Sequence, residues 1–118
     1  MQYMLLIYFD ETSLAEDERE ACYLESTQLA RQLKANGQYL AASPLQPTAM
    51  ATSLRVRDGK RFVTDGPFAE TREQLGGYYL VKATNLDEAI AIAEKIPMSR
   101  KGTVEVRPVI EIPGLPTD

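Results

Sequence analysis

The sequence predicts an α+β domain, a ferredoxin-like split βαβ arrangement interrupted by an inserted β-hairpin. Three observations carry this. Strand and helix patterns alternate as β-α-β, hairpin, β-α-β along the 118 residues, which without the hairpin is the split βαβ order. Tyr3 to Phe9 is apolar on both faces, as in a central strand covered on both sides. Asp58-Gly59 separates two alternating runs and suits a tight two-residue hairpin turn. Residues 1–112 read as one domain and residues 113–118 as a mobile C-terminal tail.

The elements follow in order. Met1 to Ile7 lacks a basic segment and a small-residue cleavage site, so it reads as a first strand and not a signal peptide. Asp10 to Ser13 offers cap chemistry, and Glu16, Asp17 and Glu18 place negative charge at a helix N-terminus. That helix is expected from about Leu14 to Ala35, with Cys22, Ser26, Leu29, Ala30 and Leu33 on its inner face. Asn36-Gly37 stops it. Gln38 to Ser43 reads as a second strand, ended by Pro44 and Pro47. Thr52 to Arg57 alternates Leu54 and Val56 against Arg55 and Arg57, and Arg61 to Thr64 returns as the partner strand of an exposed hairpin. Gly76 to Ala83 is a strand rich in tyrosine and β-branched residues. Asn85 caps a second helix, with Glu88 completing a capping box and Leu86, Ala89, Ile90, Ala93 and Ile96 as its apolar stripe. Pro97 stops it, and Thr103 to Ile112 is the last strand.

Two helices cover only one face of such a sheet. The second apolar face needs a partner, and a homodimer stacked sheet to sheet is the simplest solution. Other partners are disfavoured by charge. With 13 basic and 17 acidic side chains the net charge is −4, which argues against nucleic acid and against an anionic membrane surface. No apolar run approaches the ~20 residues of a membrane span. Cys22 is the single cysteine, so no intrachain disulfide forms, and a cytoplasmic location follows. There is no histidine, which removes Ser-His-Asp, Cys-His and His-ligated metal sites within one chain. No metal and no cofactor are expected. Acid–base chemistry falls to carboxylates, tyrosines, lysines or water.

Thr64 to Leu80 is the densest stretch, with turn formers, charges, Gly76-Gly77 and paired tyrosines. Asp65 is the candidate catalytic group. Its strand and the Gly66-Pro67 turn fix its direction, so its carboxylate acts as a base or anchors a ligand. The alternative is an Asx-type turn that bonds its own loop amides. Arg72 is a candidate for an anionic substrate group, with Glu73 beside it to tune the charge. The alternative there is a solvated helical turn with weak local ion pairs. Gly76-Gly77 reads as a bulge or as a place of close approach. Tyr78 and Tyr79 point to opposite faces, one into the core and one, assigned to Tyr78, toward a cleft. Cys22 reads as core.

Asp65-Gly66-Pro67-Phe68-Ala69-Glu70-Thr71, followed by Gln74-Leu75-Gly76-Gly77-Tyr78-Tyr79, resembles the signature of the DGPF family, a branch of the YCII-related proteins. Met4 to Ile7, Val56 to Gly59 and Val104 to Pro108 extend the resemblance across nearly the whole chain; Arg72 stands where a lysine is common. The resemblance implies a dimeric α/β barrel of two protomers with facing sheets. It implies a largely uncharacterised function, either small-molecule binding near the motif, with or without cofactor-free catalysis, or a regulatory or interaction module linked to sigma-factor-dependent transcription. The histidine–aspartate pair proposed for YCII-related proteins has no histidine here.

Overall fold

Period-two burial along the first strand organises the molecule. Tyr3, Leu5 and Ile7 are buried while Met4, Leu6 and Tyr8 are half-buried on the opposite face. The computed structural model describes residues 1–116; residues 117 and 118, the end of the expected tail, lie outside the described residues. The elements are β1 (Gln2–Phe9), α1 (Glu16–Ala35), β2 (Tyr39–Pro44), β3 (Thr52–Arg57), β4 (Lys60–Asp65), β5 (Gln74–Lys82), α2 (Leu86–Glu94) and β6 (Thr103–Pro108). Short 3-10 turns lie at Glu11–Ser13, Thr48–Met50 and Pro97–Arg100. Four strands form an antiparallel sheet in the order β2-β5-β1-β6, the split βαβ topology expected, and β3-β4 form a separate two-stranded sheet.

Both helices pack on one face. Leu29 and Leu33 of α1, with Ala89, Ile92 and Ala93 of α2, join Tyr3, Leu5, Ile7, Tyr79 and Val81 in one core. Leu5, Val81 and Ile96 are its most enclosed large side chains, each worth about 2 kcal/mol of apolar burial. Arg100 pairs with Glu25 and Lys101 with Glu18, joining the 97–100 turn to α1. These pairs are exposed and hold position more than they stabilise. On the other face Met4, Leu6, Tyr8, Tyr78 and Leu80 line up by register, and among the described residues no helix lies over them. The expectation that Tyr3 to Phe9 is covered on both sides is therefore met on one face within a single chain.

Local differences have local causes. α1 begins at Glu16 and not Leu14, because the Asp10 carboxylate accepts the Thr12 amide at 2.9 Å and caps the 3-10 turn before it. Ala15 has no side-chain acceptor, so the α1 N-terminus keeps half a capping box, in which the Ala15 N–H donates to Glu18. At α2, Asn85 accepts the Glu88 N–H at 3.0 Å as expected, but the Glu88 carboxylate takes the Gln38 amide at 2.7 Å instead of closing the box. Ile92 is buried on α2, whereas Leu86 and Ile90 are exposed: the inner face follows Ala89, Ile92, Ala93 and Ile96. β6 ends at Pro108, four residues before Ile112, because Pro108 pairs with Tyr3 and β1 begins one residue further on.

The hairpin turn is primed: Asp58 has φ 51° and Gly59 φ 73°. Its strands touch each other and little else, and apart from Ser53 every strand residue is exposed. Leu54, Val56 and Val63 share one side; Arg55, Arg57, Lys60 and Phe62 share the other. The arm is closed at its base, where the Gly66 N–H donates to the Ala51 carbonyl at 2.8 Å and the Ser53 hydroxyl to the Gly66 carbonyl at 2.8 Å. It stretches the molecule to a radius of gyration of 16.0 Å, against about 13.5 Å for a compact chain of this length.

Candidate functional site

Three loops meet where β1 ends, and one carboxylate and one amide hold them. Glu11 follows Asp10 in the turn after β1. Its two carboxylate oxygens accept the Thr48 N–H at 2.8 Å and the Thr48 hydroxyl at 2.7 Å. The Glu11 N–H donates to Gln74 Oε1 at 3.0 Å, and Gln74 Nε2 donates to the Thr71 carbonyl at 2.6 Å. The loop after β2, the turn after β1 and the motif loop, residues 66–73, are thus fixed to one another. The Thr71 hydroxyl closes the motif loop on the Glu73 carbonyl.

These loops wall a groove of about 500 Å³, with Leu45, Met50, Pro67 and Phe68 on its sides and Tyr8 and Leu75 at its floor. Tyr8 and Leu75 are cross-strand partners on the uncovered face, so the groove opens on that face. Phe68 is 80% exposed, and the Arg55 guanidinium of the arm lies 5.3 Å from its ring centre, a cation–π contact that couples arm and motif loop.

A second hollow, of about 290 Å³, lies on the other face between α1 and the sheet. Gly76 to Tyr79 form one wall and Cys22, Ser26 and Ala30 the opposite one. Gly76 is the extra residue of a bulge, since Ile7 pairs with Gly77 and Tyr8 already with Leu75. The Gly-Gly pair is therefore a bulge and a close approach together: a Cβ on Gly76 would fall 2.1 Å from the Phe9 ring, and one on Gly77 3.1 Å from the Ser43 carbonyl oxygen.

The four residues singled out in the sequence do not converge. Asp65 is exposed at the end of β4 opposite Thr52, and lines neither hollow. Arg72 is exposed, and its positive charge adds a small pull to the bonds that hold the Asp10 carboxyl down. Glu73 is half-buried and accepts the Thr103 hydroxyl at 2.8 Å. Residues 66–73 form bends rather than a helical turn. Tyr78 sits by register with Leu6 on the uncovered face and also borders the hollow under α1, while Tyr79 takes the core position, its hydroxyl donating to the Ser26 carbonyl at 2.7 Å. Burial raises the Tyr79 phenol above its ordinary range and keeps it a donor. The Thr12 hydroxyl and amide hold the Asp10 carboxyl below its ordinary range, so it is an anion at neutral pH. Among the described residues no group of three His, Cys, Asp or Glu side chains is placed to hold a metal, and no helix is long and apolar enough to cross a membrane. Glu11 was not singled out, and Gln74 only as part of the motif. Their contact spans 63 positions, and no local spacing signals it.

The chain is thus an α+β protein of split βαβ topology whose motif loop borders a groove beside an uncovered sheet face. It belongs to the YCII-related domain family, whose model matches residues 1–113. It is 40% identical over 116 residues to an uncharacterised protein of Rhizobium meliloti (strain 1021), covering 92% of each chain.

Proposed function

We propose that the chain works as a two-fold homodimer that binds a small molecule in the motif-loop groove, near the DGPF residues, with the second copy roofing the groove. One observation carries this reading: the groove floor, Tyr8 and Leu75, belongs to the apolar sheet face that no helix covers. Whatever covers Met4, Leu6 and Leu80 also covers the groove mouth. The volume of about 500 Å³ is that of an ordinary small-molecule site. Rigid walls supplied by the Glu11–Thr48–Gln74 bonds lower the ordering cost of binding. The ionised Asp10 and Arg72 do not line the groove but adjoin Glu11, which ties its loops, and Thr71, which lines it; no reaction is assigned.

The test pairs light scattering with ligand-observed NMR, using a panel of single-ring carboxylic acids, amines and alcohols. The expected result is a dimer mass, with binders that are lost in Leu75→Arg. A monomer mass, or binders indifferent to Leu75→Arg, overturns the reading. The exposed apolar side of the arm, Leu54, Val56 and Val63, favours a second reading, a regulatory or protein-interaction module. In that case the dimer persists and the groove binds nothing in the panel.

A further inference from the structure

The hollow between α1 and the sheet is separate from the motif-loop groove and faces the opposite side of β1 and β5. It exists because small residues meet there. Cys22, Ser26 and Ala30 recur at four-residue steps along α1, and Ala42 and Gly77 face them from the sheet. Around these lie aromatic side chains, Phe9 and Tyr39 among them. A helix face that carried leucine at those positions would fill the space, as Leu29 and Leu33 do further along. A cavity of ~150 Å³ lined by apolar side chains takes up benzene. At about 290 Å³ this one has room for two fused rings. One basic group reaches it. Arg19 lines the hollow, is half-buried, and has no ion-pair partner among the described residues, although Glu16, Asp17, Glu18 and Glu20 surround it in sequence. A guanidinium left free beside an aromatic slot is suited to a carboxylate on a flat ring.

We propose that the hollow between α1 and the sheet binds a planar bicyclic aromatic acid, with its rings between Ala30 and Gly77 and its carboxylate on Arg19. The ring faces meet Phe9 and Tyr39, where offset stacking adds to burial. The carboxylate sits at the solvent edge, which avoids burying an unpaired charge.

Cys22 makes the test specific to place, because it is the single cysteine and lines the hollow. The probe is 1-naphthoic acid, with 1-naphthamide as the neutral control, added to the full chain. Calorimetry gives affinity, and the rate of Cys22 alkylation by N-ethylmaleimide gives location. The expected result is saturable binding of one naphthoate per chain, with alkylation slowed several-fold in step with occupancy. Arg19→Gln weakens naphthoate about tenfold, the loss of one charge-assisted contact, and leaves naphthamide unchanged. Ala30→Phe fills the hollow and abolishes binding of both. Leu75→Arg, which blocks the motif-loop groove, leaves naphthoate binding intact, so the two sites fail independently. No saturable binding at millimolar probe, binding that leaves Cys22 alkylation unchanged, or equal loss of acid and amide in Arg19→Gln overturns the proposal. Arg19→Gln changes a half-exposed helix side chain and folds even if Ala30→Phe does not.

Discussion

Alanine at Gly76 tests whether the bulge and the Phe9 ring fit as described. The Gly76 backbone lies outside the positive-φ region, so an added methyl meets no conformational penalty and its cost is spatial. The new Cβ would stand 2.1 Å from Phe9 Cε1 and 2.8 Å from Cζ, and the ring must move. Overpacking of this kind costs roughly 1–3 kcal/mol. Replacing a strand glycine recovers roughly 0.5–1 kcal/mol of chain entropy. At 2.1 Å the clash belongs in the upper half of the first range, which leaves a net loss of about 1–2 kcal/mol. At ~2.1 cal/mol/K per residue, 118 residues have an unfolding entropy of about 250 cal/mol/K, so Tm falls by about 4–8 °C. Phe9→Leu removes Cε1 and Cζ; in that background the alanine costs about 1 kcal/mol less, read as the coupling term of a double-mutant cycle in urea. Gly102→Ala is the contrast. Its Cβ would lie 2.1 Å from the Tyr8 carbonyl oxygen and 2.9 Å from Phe9 Cβ, atoms that Phe9→Leu leaves in place, so no rescue is expected. An unchanged or raised Tm in Gly76→Ala, or the same penalty with and without the Phe9 ring, refutes the reasoning.

Tyr79→Phe loses the bond to the Ser26 carbonyl and lowers stability by about 1 kcal/mol, measured by urea unfolding. Gly59→Val forces a β-branched residue to φ 73° and opens the arm locally: amide exchange speeds up in β3 and β4, while global Tm changes by less than about 2 °C because the arm packs on little else. Asp10 has its folded-state pKa depressed by Thr12, so its contribution is present above the ordinary value of 3.8 and is lost as pH falls through the lower folded value. Asp10→Asn keeps the cap and removes that part of the acid-side slope in unfolding experiments between pH 5 and 2.

What the sequence made legible was local. Asp58-Gly59 specified a primed turn through its own backbone preferences, and Gly76-Gly77 specified a bulge within a strand. The strand order followed from the succession of elements and the rules of connection. The site was less legible, because its parts meet through the loops. Glu11 and Gln74 carry no periodic pattern, and only the ends of β1 and β5 bring them together. Asp65 stands at the base of the arm, paired with Thr52 and two residues before Pro67 of the groove wall, yet it lines neither hollow, and no local spacing in the motif tells a wall residue from its neighbour. Ala89, Ala93 and Ile96 of the expected α2 stripe face inward, but Ile90 and Ile92 are equivalent by hydrophobicity, and only the sheet beneath decides which one turns inward.

The closed base of the arm makes residues 52–65 a detachable cassette. The chain leaves at Ala51 and re-enters at Gly66, and the bond between those two residues already holds the ends together. A tight two-residue turn between Ala51 and Gly66 can stand in for the hairpin at that bond, at the loss of the Arg55 contact to the Phe68 ring. Hairpin length beyond Arg55 and Phe62 is set by the arm alone, because the bonds that close it lie at Ala51, Ser53 and Gly66.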